Sequence, residues 1–320
     1  MPSEFISSES ISLIHLSNPL VSTYTTMQHS SPEQPLVIFL HLPKTAGTTL
    51  KHITRRQYSP SETFEFYSVT RQPAKGINGF ISLPEKRKEN MKFVTGHIGF
   101  GLHQFIDKPS TYITVLRDPI KRVISFYHYL QRTNPNHQSL EGIDSLERFV
   151  QSADLVRNDM TKYLSNVKMK TQLAYKGGDA PEDRITCTPE DLEQAKENLR
   201  THFSVVGLTE EFDKTMVLIR RKLGWQVFPY LNANVAKKKT SSRVVSEEAM
   251  ALLKEYNSYD VELYQYAQSL FQAQISAQGD DFAVEYKTFE KELSEHTVGL
   301  KFKLNSFYNR ASHKLYEVLN

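Results

Sequence analysis

The sequence predicts an α/β fold in which helices flank a doubly wound parallel sheet, followed by a helical extension at the C-terminal end. Short hydrophobic runs rich in β-branched residues favour parallel strands that are covered on both faces. These runs lie at residues 36–42, 92–96, 111–117 and 204–208. Amphipathic helical patterns follow the first, third and fourth runs. Because strands and helices alternate along the chain, a parallel sheet with crossover helices is the expected architecture.

The first run leads into a turn whose residues suit an anion. Residues 37–50, VIFLHLPKTAGTTL, predict a buried strand, a turn of small residues and then a helix. A helix N-terminus leaves its first N–H groups without partners, so a phosphate group can bind there. Lys44 adds a positive charge, and Gly47 allows backbone angles that a side chain would forbid. Three hydroxyls stand in the same stretch, those of Thr45, Thr48 and Thr49.

This turn is P-loop-like, but it is not a Walker A loop. The Walker pattern G-x-x-x-x-G-K-[ST] places its lysine after the second glycine. Here Lys44 precedes Gly47, which is the only glycine of the turn. We therefore expect a phosphate cradle that serves a different anion chemistry.

A second stretch, residues 111–130, again predicts a strand, a sharp turn and a helix. Asp118 is placed as the helix N-cap, with Pro119 at the first helical position. Arg117 ends the strand, where a guanidinium group is costly to bury without a partner. Ser125 lies about two turns into the helix. The sequence therefore predicts a second anion site, in which a guanidinium group and a hydroxyl converge.

The remaining pattern divides the chain into a head, a body and a tail. Residues 1–34 are rich in Ser and Thr and show no clear period, which predicts a loosely ordered segment. Residues 35–275 hold the predicted strands and helices and form the main domain. A helix start is indicated at Thr188, a helix with Phe212 on its apolar face is predicted after the last strand, and helix dominates from Ser246 onward. Residues 276–320 carry a further amphipathic pattern, which predicts a helical C-terminal extension.

Composition indicates a globular protein with one large core. The chain has 320 residues, of which 39% are hydrophobic, and a formal net charge of +3. Cys187 is the only cysteine, which excludes an internal disulfide and argues against a cysteine-built metal site. Residues 1–35 hold no apolar run near the ~20 residues of a membrane span and no signal-like pattern. We therefore expect a cytoplasmic protein.

Two motifs resemble those of the PAPS-dependent sulfotransferases, in the branch related to heparan sulfate 2-O- and 6-O-sulfotransferases and their bacterial relatives. The motifs are HLPKTAGTT at 41–49 and LRDPIKRVIS at 116–125. Weaker similarity runs in the family's order through 95–103, 158–165, 205–225 and 237–243. The resemblance covers roughly residues 36–272. Ala46 departs from it, because many relatives carry Gly at that position.

The resemblance implies how a donor would be held. The co-substrate would be 3′-phosphoadenosine 5′-phosphosulfate (PAPS), with 3′-phosphoadenosine 5′-phosphate (PAP) as the product. Its 5′-phosphosulfate would lie on the first motif, at Lys44, Thr45, Ala46, Gly47, Thr48 and Thr49. Its 3′-phosphate would lie on Arg117 and Ser125. A late basic loop would close over the nucleotide with Lys238, Lys239 and Thr240. No metal is required, because a sulfuryl group carries less charge than a phosphoryl group.

Sulfuryl transfer to a hydroxyl also needs a general base, and histidine suits this near neutral pH. Two candidates lie between the motifs, His97 and His103. The resemblance favours His97, which matches the base of the 2-O branch, and His103 resembles the corresponding histidine of the 6-O branch. Lys44 is the candidate that stabilises charge on the leaving oxygen.

The expected activity is transfer of a sulfuryl group to a hydroxyl of a carbohydrate or other polar metabolite. Two alternatives stay open, a kinase-like enzyme that uses ATP and a nucleotide-binding module without catalysis. No nucleic acid or membrane partner is expected, and a homo-oligomer through the C-terminal helices is an open expectation. Acceptor specificity is expected in loops within 57–92 and 131–160.

Overall fold

The computed structural model describes residues 34–66, 76–174, 186–226, 230 and 245–296. All of these residues belong to one compact unit that begins at Gln34. In this part of the chain, every helix is too short or too polar to cross a membrane. The predicted N-terminal segment, apart from Gln34, and the predicted basic loop at 237–240 lie outside the described residues.

Five parallel strands form one sheet in the order β2-β3-β1-β4-β5. The strands are β1 (Leu36–Leu40), β2 (Thr63–Glu65), β3 (Phe93–Gly96), β4 (Ser110–Leu116) and β5 (Phe203–Leu208). The strand order reverses at β1, as it does in doubly wound sheets. The predicted fold class is therefore confirmed.

In the described residues, α-helices follow each strand except β3, after which only a 3₁₀ turn precedes β4. They are α1 (Gly47–Thr54), α2 (Ile77–Ile81), α3 (Glu85–Glu89), α4 (Pro119–Thr133), α5 (Leu146–Ser152), α6 (Asp159–Leu164), α7 (Val167–Ala174), α8 (Pro189–His202), α9 (Phe212–Leu223), α10 (Glu247–Tyr256), α11 (Ser258–Ser276) and α12 (281–296). Short 3₁₀ turns lie at Pro60–Glu62, Leu102–Phe105, Gln138–Leu140 and Asp154–Val156. The segments 57–92 and 131–160, expected as loops, thus contain β2, α2, α3 and α5.

The position of β1 decides where the chemistry can take place. All five residues of β1 are hydrophobic and buried, as a central strand requires. Leu40 pairs with Gly96 of β3, and Phe39 pairs with Ile113 of β4. Because these strands are parallel, their carboxyl ends meet at one edge of the sheet. The segments that follow β1, β3 and β4 therefore lie side by side.

Helix α4 begins where the sequence predicts it. The Asp118 side chain accepts a hydrogen bond of 2.9 Å from the backbone N–H of Lys121, and Pro119 occupies the first helical position. The apolar stripe of the helix packs with α5 and α10 in a core cluster of its own, through Val123, Tyr127 and Leu130. This packing fixes the helix on the side opposite to its polar face.

A buried polar network joins α4, α6 and α11. Arg122 donates to Asp159 at 2.8 Å, and its guanidinium lies 3.9 Å from Asp260. Asp260 accepts three further hydrogen bonds, from the backbone N–H groups of Met160 and Thr161 and from the Thr161 hydroxyl. Thr161 and Asp260 have no exposed surface. The stretch 158–165 is therefore a structural joint beneath the surface.

Helix α12, the last helix of the described residues, packs on the same core as the sheet. Its Phe282 and Phe289 are buried within that core. Arg220 and Arg221 of α9 both pair with Glu285 of α12. The predicted helical character of this region is confirmed for residues 281–296. The division of the chain at residue 275 stays a prediction.

We predict that Asp260→Ala lowers the free energy of unfolding by about 3–5 kcal/mol, because it leaves the buried donors of Met160 and Thr161 without their acceptor and removes one of the two carboxylates beside Arg122. The matched control is Asp144→Ala, which removes an exposed partner of Arg148 and should change stability by less than about 1 kcal/mol. Urea unfolding of both variants checks this. Equal losses in the two variants would contradict it.

Candidate active site

The turn between β1 and α1 has the backbone of an anion cradle. Lys44 and Ala46 both have left-handed backbone angles, with φ of 69° and 63°. Within the described residues, the backbone N–H groups of residues 44–48 make no hydrogen bond. Adjacent N–H groups that lie free at a helix start bind anions. The turn can therefore accept a phosphate or sulfate group.

The threonines of this turn divide into two kinds. The Thr45 hydroxyl is fully buried and donates to the Leu42 carbonyl at 2.9 Å, so it closes the turn on itself. Thr49 is buried as well, whereas Thr48 is exposed at the first turn of α1. Thr48 is therefore the threonine whose hydroxyl is best placed for a ligand.

Gly47 is required because the ring of His41 occupies the space beside it. A Cβ atom at residue 47 would lie 1.6 Å from Nε2 of His41. Burial lowers the pKa of His41 well below its usual value, and the nearby His97, Lys51 and Lys44 lower it further. His41 is therefore a neutral ring at neutral pH.

The side chain of Lys44 lies in a positively charged environment. Its Nζ is 4.0 Å from the centre of the Tyr129 ring, a cation–π contact. Burial lowers the pKa of Lys44 to about 8, and the charges of Arg132 and Arg117 contribute to this. Within the described residues no carboxylate pairs with Lys44. An anionic ligand would therefore supply the missing counter-charge.

Arg117 joins the two predicted anion sites. Its Nη1 donates to the backbone carbonyl of Lys44 at 3.1 Å. Burial lowers the pKa of Arg117, and the nearby carboxylates of Glu210 and Asp118 oppose this shift. Ser125 precedes Tyr129 by four residues, so it lies on the face of α4 that contacts Lys44. The structure thus brings Lys44, Arg117 and Ser125 to one edge of the sheet.

His97 follows β3 at the same edge, and its hydrogen bond fixes its tautomer. Its Nδ1 lies 2.8 Å from the backbone carbonyl of His41. Because a carbonyl only accepts, Nδ1 carries the hydrogen of the neutral ring and Nε2 carries the lone pair. The residue is exposed, and its ring centre is 4.5 Å from that of His41. His97 therefore has the tautomer that a general base needs.

His103 lies elsewhere. Its backbone N–H and its Nδ1 contact the Tyr112 hydroxyl, at 3.0 and 2.9 Å. Its ring stacks on His202, which immediately precedes β5. Tyr112 stands five residues before Arg117, or about 16 Å along the strand direction. The structure does not bring His103 together with Lys44, Arg117 and His97.

A family model described as galactose-3-O-sulfotransferase matches residues 7–294, most of the chain. The chain belongs to this family. The predicted membership of a sulfotransferase family is therefore confirmed.

Curated relatives of this galactose-3-O-sulfotransferase family member are 26–29% identical to it over the aligned residues. Galactose-3-O-sulfotransferase 3 of Mus musculus is 26% identical over 76% of this chain and 58% of the relative. Galactosylceramide sulfotransferase of Bos taurus is 29% identical over 53% of this chain and 40% of the relative. Heparan-sulfate 6-O-sulfotransferase 2 of Homo sapiens is 27% identical over 74% of this chain and 44% of the relative. The chain thus spans between 40% and 58% of the length of these relatives.

One solved structure, mouse sulfotransferase SULT7A1 complexed with PAP, aligns over 72% of this chain and 65% of that chain. The identity is 11% and the TM-score is 0.33, a likeness too remote to assign a property to this chain.

Sequence reasoning missed several residues that surround the site of this family member. Tyr129 and Arg132 lie four and seven residues after Ser125, so the helical spacing could have indicated them. His41 stands inside the first motif. Gln172, which binds the turn of His97, has no local sequence signal. Thr161 and Lys162 lie in the stretch 158–165 that resembles the family, and both are buried.

We predict that Ala46→Gly raises the free energy of unfolding by about 1 kcal/mol, because glycine adopts the left-handed angles of residue 46 without a steric penalty. The control is Ala251→Gly on the exposed face of α10, which should lower it by about 1 kcal/mol. Chemical denaturation measures both changes. A loss of stability in Ala46→Gly would contradict the strain assigned to this turn.

Proposed function

We propose that this galactose-3-O-sulfotransferase family member is a PAPS-dependent O-sulfotransferase. The hydrogen bond between Arg117 and the Lys44 carbonyl supports this most directly, because it joins the two anion-binding stretches. A donor with phosphates at both ends of its ribose matches two such sites. Mononucleotides that lack a 3′-phosphate would leave Arg117 and Ser125 unused.

The acceptor that we propose is a hydroxyl of a carbohydrate. The names of the relatives refer to galactose, galactosylceramide and heparan sulfate, all of which carry sugar hydroxyls. His97 would take the acceptor proton at Nε2 as the new S–O bond forms. The bond between sulfur and the bridging oxygen breaks, and the electron pair stays on the phosphate of PAP. No metal is invoked.

Lys44 and the N–H groups of the turn would stabilise the charge that builds on this bridging oxygen. They are preorganised, since the backbone of the turn holds its donors without a partner among the described residues. Arg117 and Ser125 would hold the 3′-phosphate and so orient the donor for in-line attack. Lys238, Lys239 and Thr240 stay predicted donor contacts.

Three further statements stay predictions that rest on the sequence. They are the cytoplasmic location, the homo-oligomer through the C-terminal helices and the division of the chain into three parts. Fractionation of cells and light scattering of the purified protein would test the first two.

The test of the donor is thermal stabilisation by PAP compared with Mg-ATP. We expect PAP to raise the melting temperature more at equal concentration, because only PAP presents a 3′-phosphate to Arg117. Stronger stabilisation by Mg-ATP would favour the kinase-like alternative. Binding of PAP without transfer to any of a panel of saccharides would favour the non-catalytic module.

We predict that Lys44→Ala and Arg117→Ala each weaken PAP binding by about 10- to 100-fold, because each removes a charge-assisted contact to a phosphate. Calorimetry measures this, with Arg200→Ala as the control. Arg200 pairs with Glu197 on α8, so its removal should leave affinity unchanged. Wild-type affinity in both site variants would contradict the donor site.

The pH dependence offers a second readout of the Lys44 contact. Since the pKa of Lys44 is lowered to about 8, its charge is complete below that pH and is lost as the pH rises through it. Affinity of the free protein for PAP should therefore fall between about pH 7.5 and pH 9. Lys44→Arg should remove this fall, because arginine stays charged.

We predict that His97→Ala lowers the rate of sulfuryl transfer by about 10²- to 10⁴-fold and leaves PAP affinity within about twofold. His103→Ala is the matched control, because that side chain lies at the opposite end of β4. Steady-state rates with labelled PAPS check both variants. Unchanged turnover in His97→Ala, together with loss in His103→Ala, would move the base to His103.

A further inference from the structure

The turn that carries His97 packs closely against Phe66 on one side and against α7 on the other. Gly96 has φ of 144°, and a Cβ atom there would lie 2.5 Å from Cβ of Phe66. A Cβ atom at Gly99 would lie 2.3 Å from the backbone nitrogen of Met169, in α7. Both glycines therefore allow close approach, and α7 forms the platform against which the turn packs.

One side chain of α7 binds both ends of this turn. Gln172 Nε2 donates to the His97 carbonyl at 3.1 Å, and Gln172 Oε1 accepts from the backbone N–H of Gly99 at 3.0 Å. An amide is needed here, because the two partners are an acceptor and a donor. A carboxylate could accept but not donate, and an ammonium could donate but not accept.

Contacts to the backbone and to the ring thereby fix the position of the His97 imidazole. Gln172 holds the backbone from which the ring projects, and the His41 carbonyl holds Nδ1 at 2.8 Å. The hydrogen bond between Nδ1 and the His41 carbonyl survives only if the backbone of His97 stays in place, since His41 follows β1 and His97 follows β3. Loss of the Gln172 amide would leave the ring free to shift and to exchange tautomers.

The turn that Gln172 binds is also anchored in the interior, through the residue that follows it. The backbone N–H of Phe100, just beyond the turn, donates to the Tyr163 carbonyl of α6 at 2.8 Å. Helix α6 is in turn bound to Asp260 through Met160 and Thr161. The contacts of Gln172 therefore connect the exposed histidine to a rigid part of the core.

We propose that Gln172 is a positioning residue for the His97 base. This inference rests on the proposed function, in which His97 accepts the proton of the acceptor hydroxyl. Gln172 does not touch the reacting atoms; it acts through the backbone of residues 97–99. A shift of about 1 Å in a catalytic group can lower a rate by about 100-fold.

The test uses the full chain with Gln172→Met, which keeps the size of the side chain and removes both hydrogen bonds. Gln172→Glu is the second variant, because it keeps the acceptor for Gly99 and removes the donor to His97. Gln265→Ala, on the exposed side of α11, is the control. We expect kcat to fall by about 10- to 100-fold in Gln172→Met, less in Gln172→Glu and not at all in the control. KM for PAPS should stay within about twofold in all three.

A readout that does not depend on turnover separates this proposal from the proposed function. Long-range ¹H–¹⁵N spectra of the histidine rings, assigned with His97→Ala, report which nitrogen of His97 is protonated. We expect a single Nδ1–H form in the unchanged protein and a mixture in Gln172→Met. Unchanged His97 signals in both Gln172 variants would overturn the proposal, even if no acceptor were found. A parallel loss of PAP binding and kcat would also overturn it, because that pattern indicates a general structural defect.

Discussion

The parallel alignment of β1, β3 and β4 is the constraint on which the site depends. Since the three strands end at one edge, the residues that follow them are forced together whatever their distance in the sequence. Lys44 follows β1, His97 follows β3 and Arg117 follows β4. An antiparallel arrangement of any one strand would place its residue at the other edge. His103 lies away from this edge because it contacts Tyr112, near the start of β4. The chemistry of the site is therefore a consequence of sheet topology before it is a consequence of any motif.

Several features of the site are energetically unfavourable, and a bound anion would make them less so. Lys44 and Arg117 are both partly desolvated, and both have a lowered pKa. The N–H groups of the turn have no partner in the described residues, and Ala46 adopts angles that glycine would adopt more easily. Strain and unpaired donors of this kind gather at functional sites and are tolerated because the surrounding structure is rigid. A nucleotide with phosphate groups at its 3′ and 5′ positions would satisfy the donors and neutralise the cations together.

The buried joint of Arg122, Asp159 and Asp260 explains why parts of the family resemblance do not reach the surface. Arg122 belongs to the second motif, yet its guanidinium is fully buried and binds the start of α6. The stretch 158–165 supplies the other half of this joint. From there α7 supports the turn of His97 through Gln172. Segments that resemble relatives can therefore serve the site from beneath it, without contact with a ligand.

Short-range patterns in the sequence were enough to predict much of this structure. The strand, turn and helix of each motif, the cap at Asp118 and the fold class follow from short-range patterns, because turn geometry and capping involve residues close in the chain. The three-residue strand β2 and the short helices within 57–92 were too brief to give such a pattern. The sequence also named Lys44, Arg117 and His97 but could not choose between His97 and His103.

Only the tertiary structure placed these groups relative to one another. Arg117 and Lys44 are 73 residues apart, and Gln172 and His97 are 75 apart. Such contacts depend on strand order and register, which no local pattern encodes. The tautomer of His97 and the burial of Thr161 also depend on contacts between distant segments. Hydrogen bonds between distant segments are decided when the sheet assembles, and for that reason the sequence supplied the candidate groups while the fold supplied their arrangement.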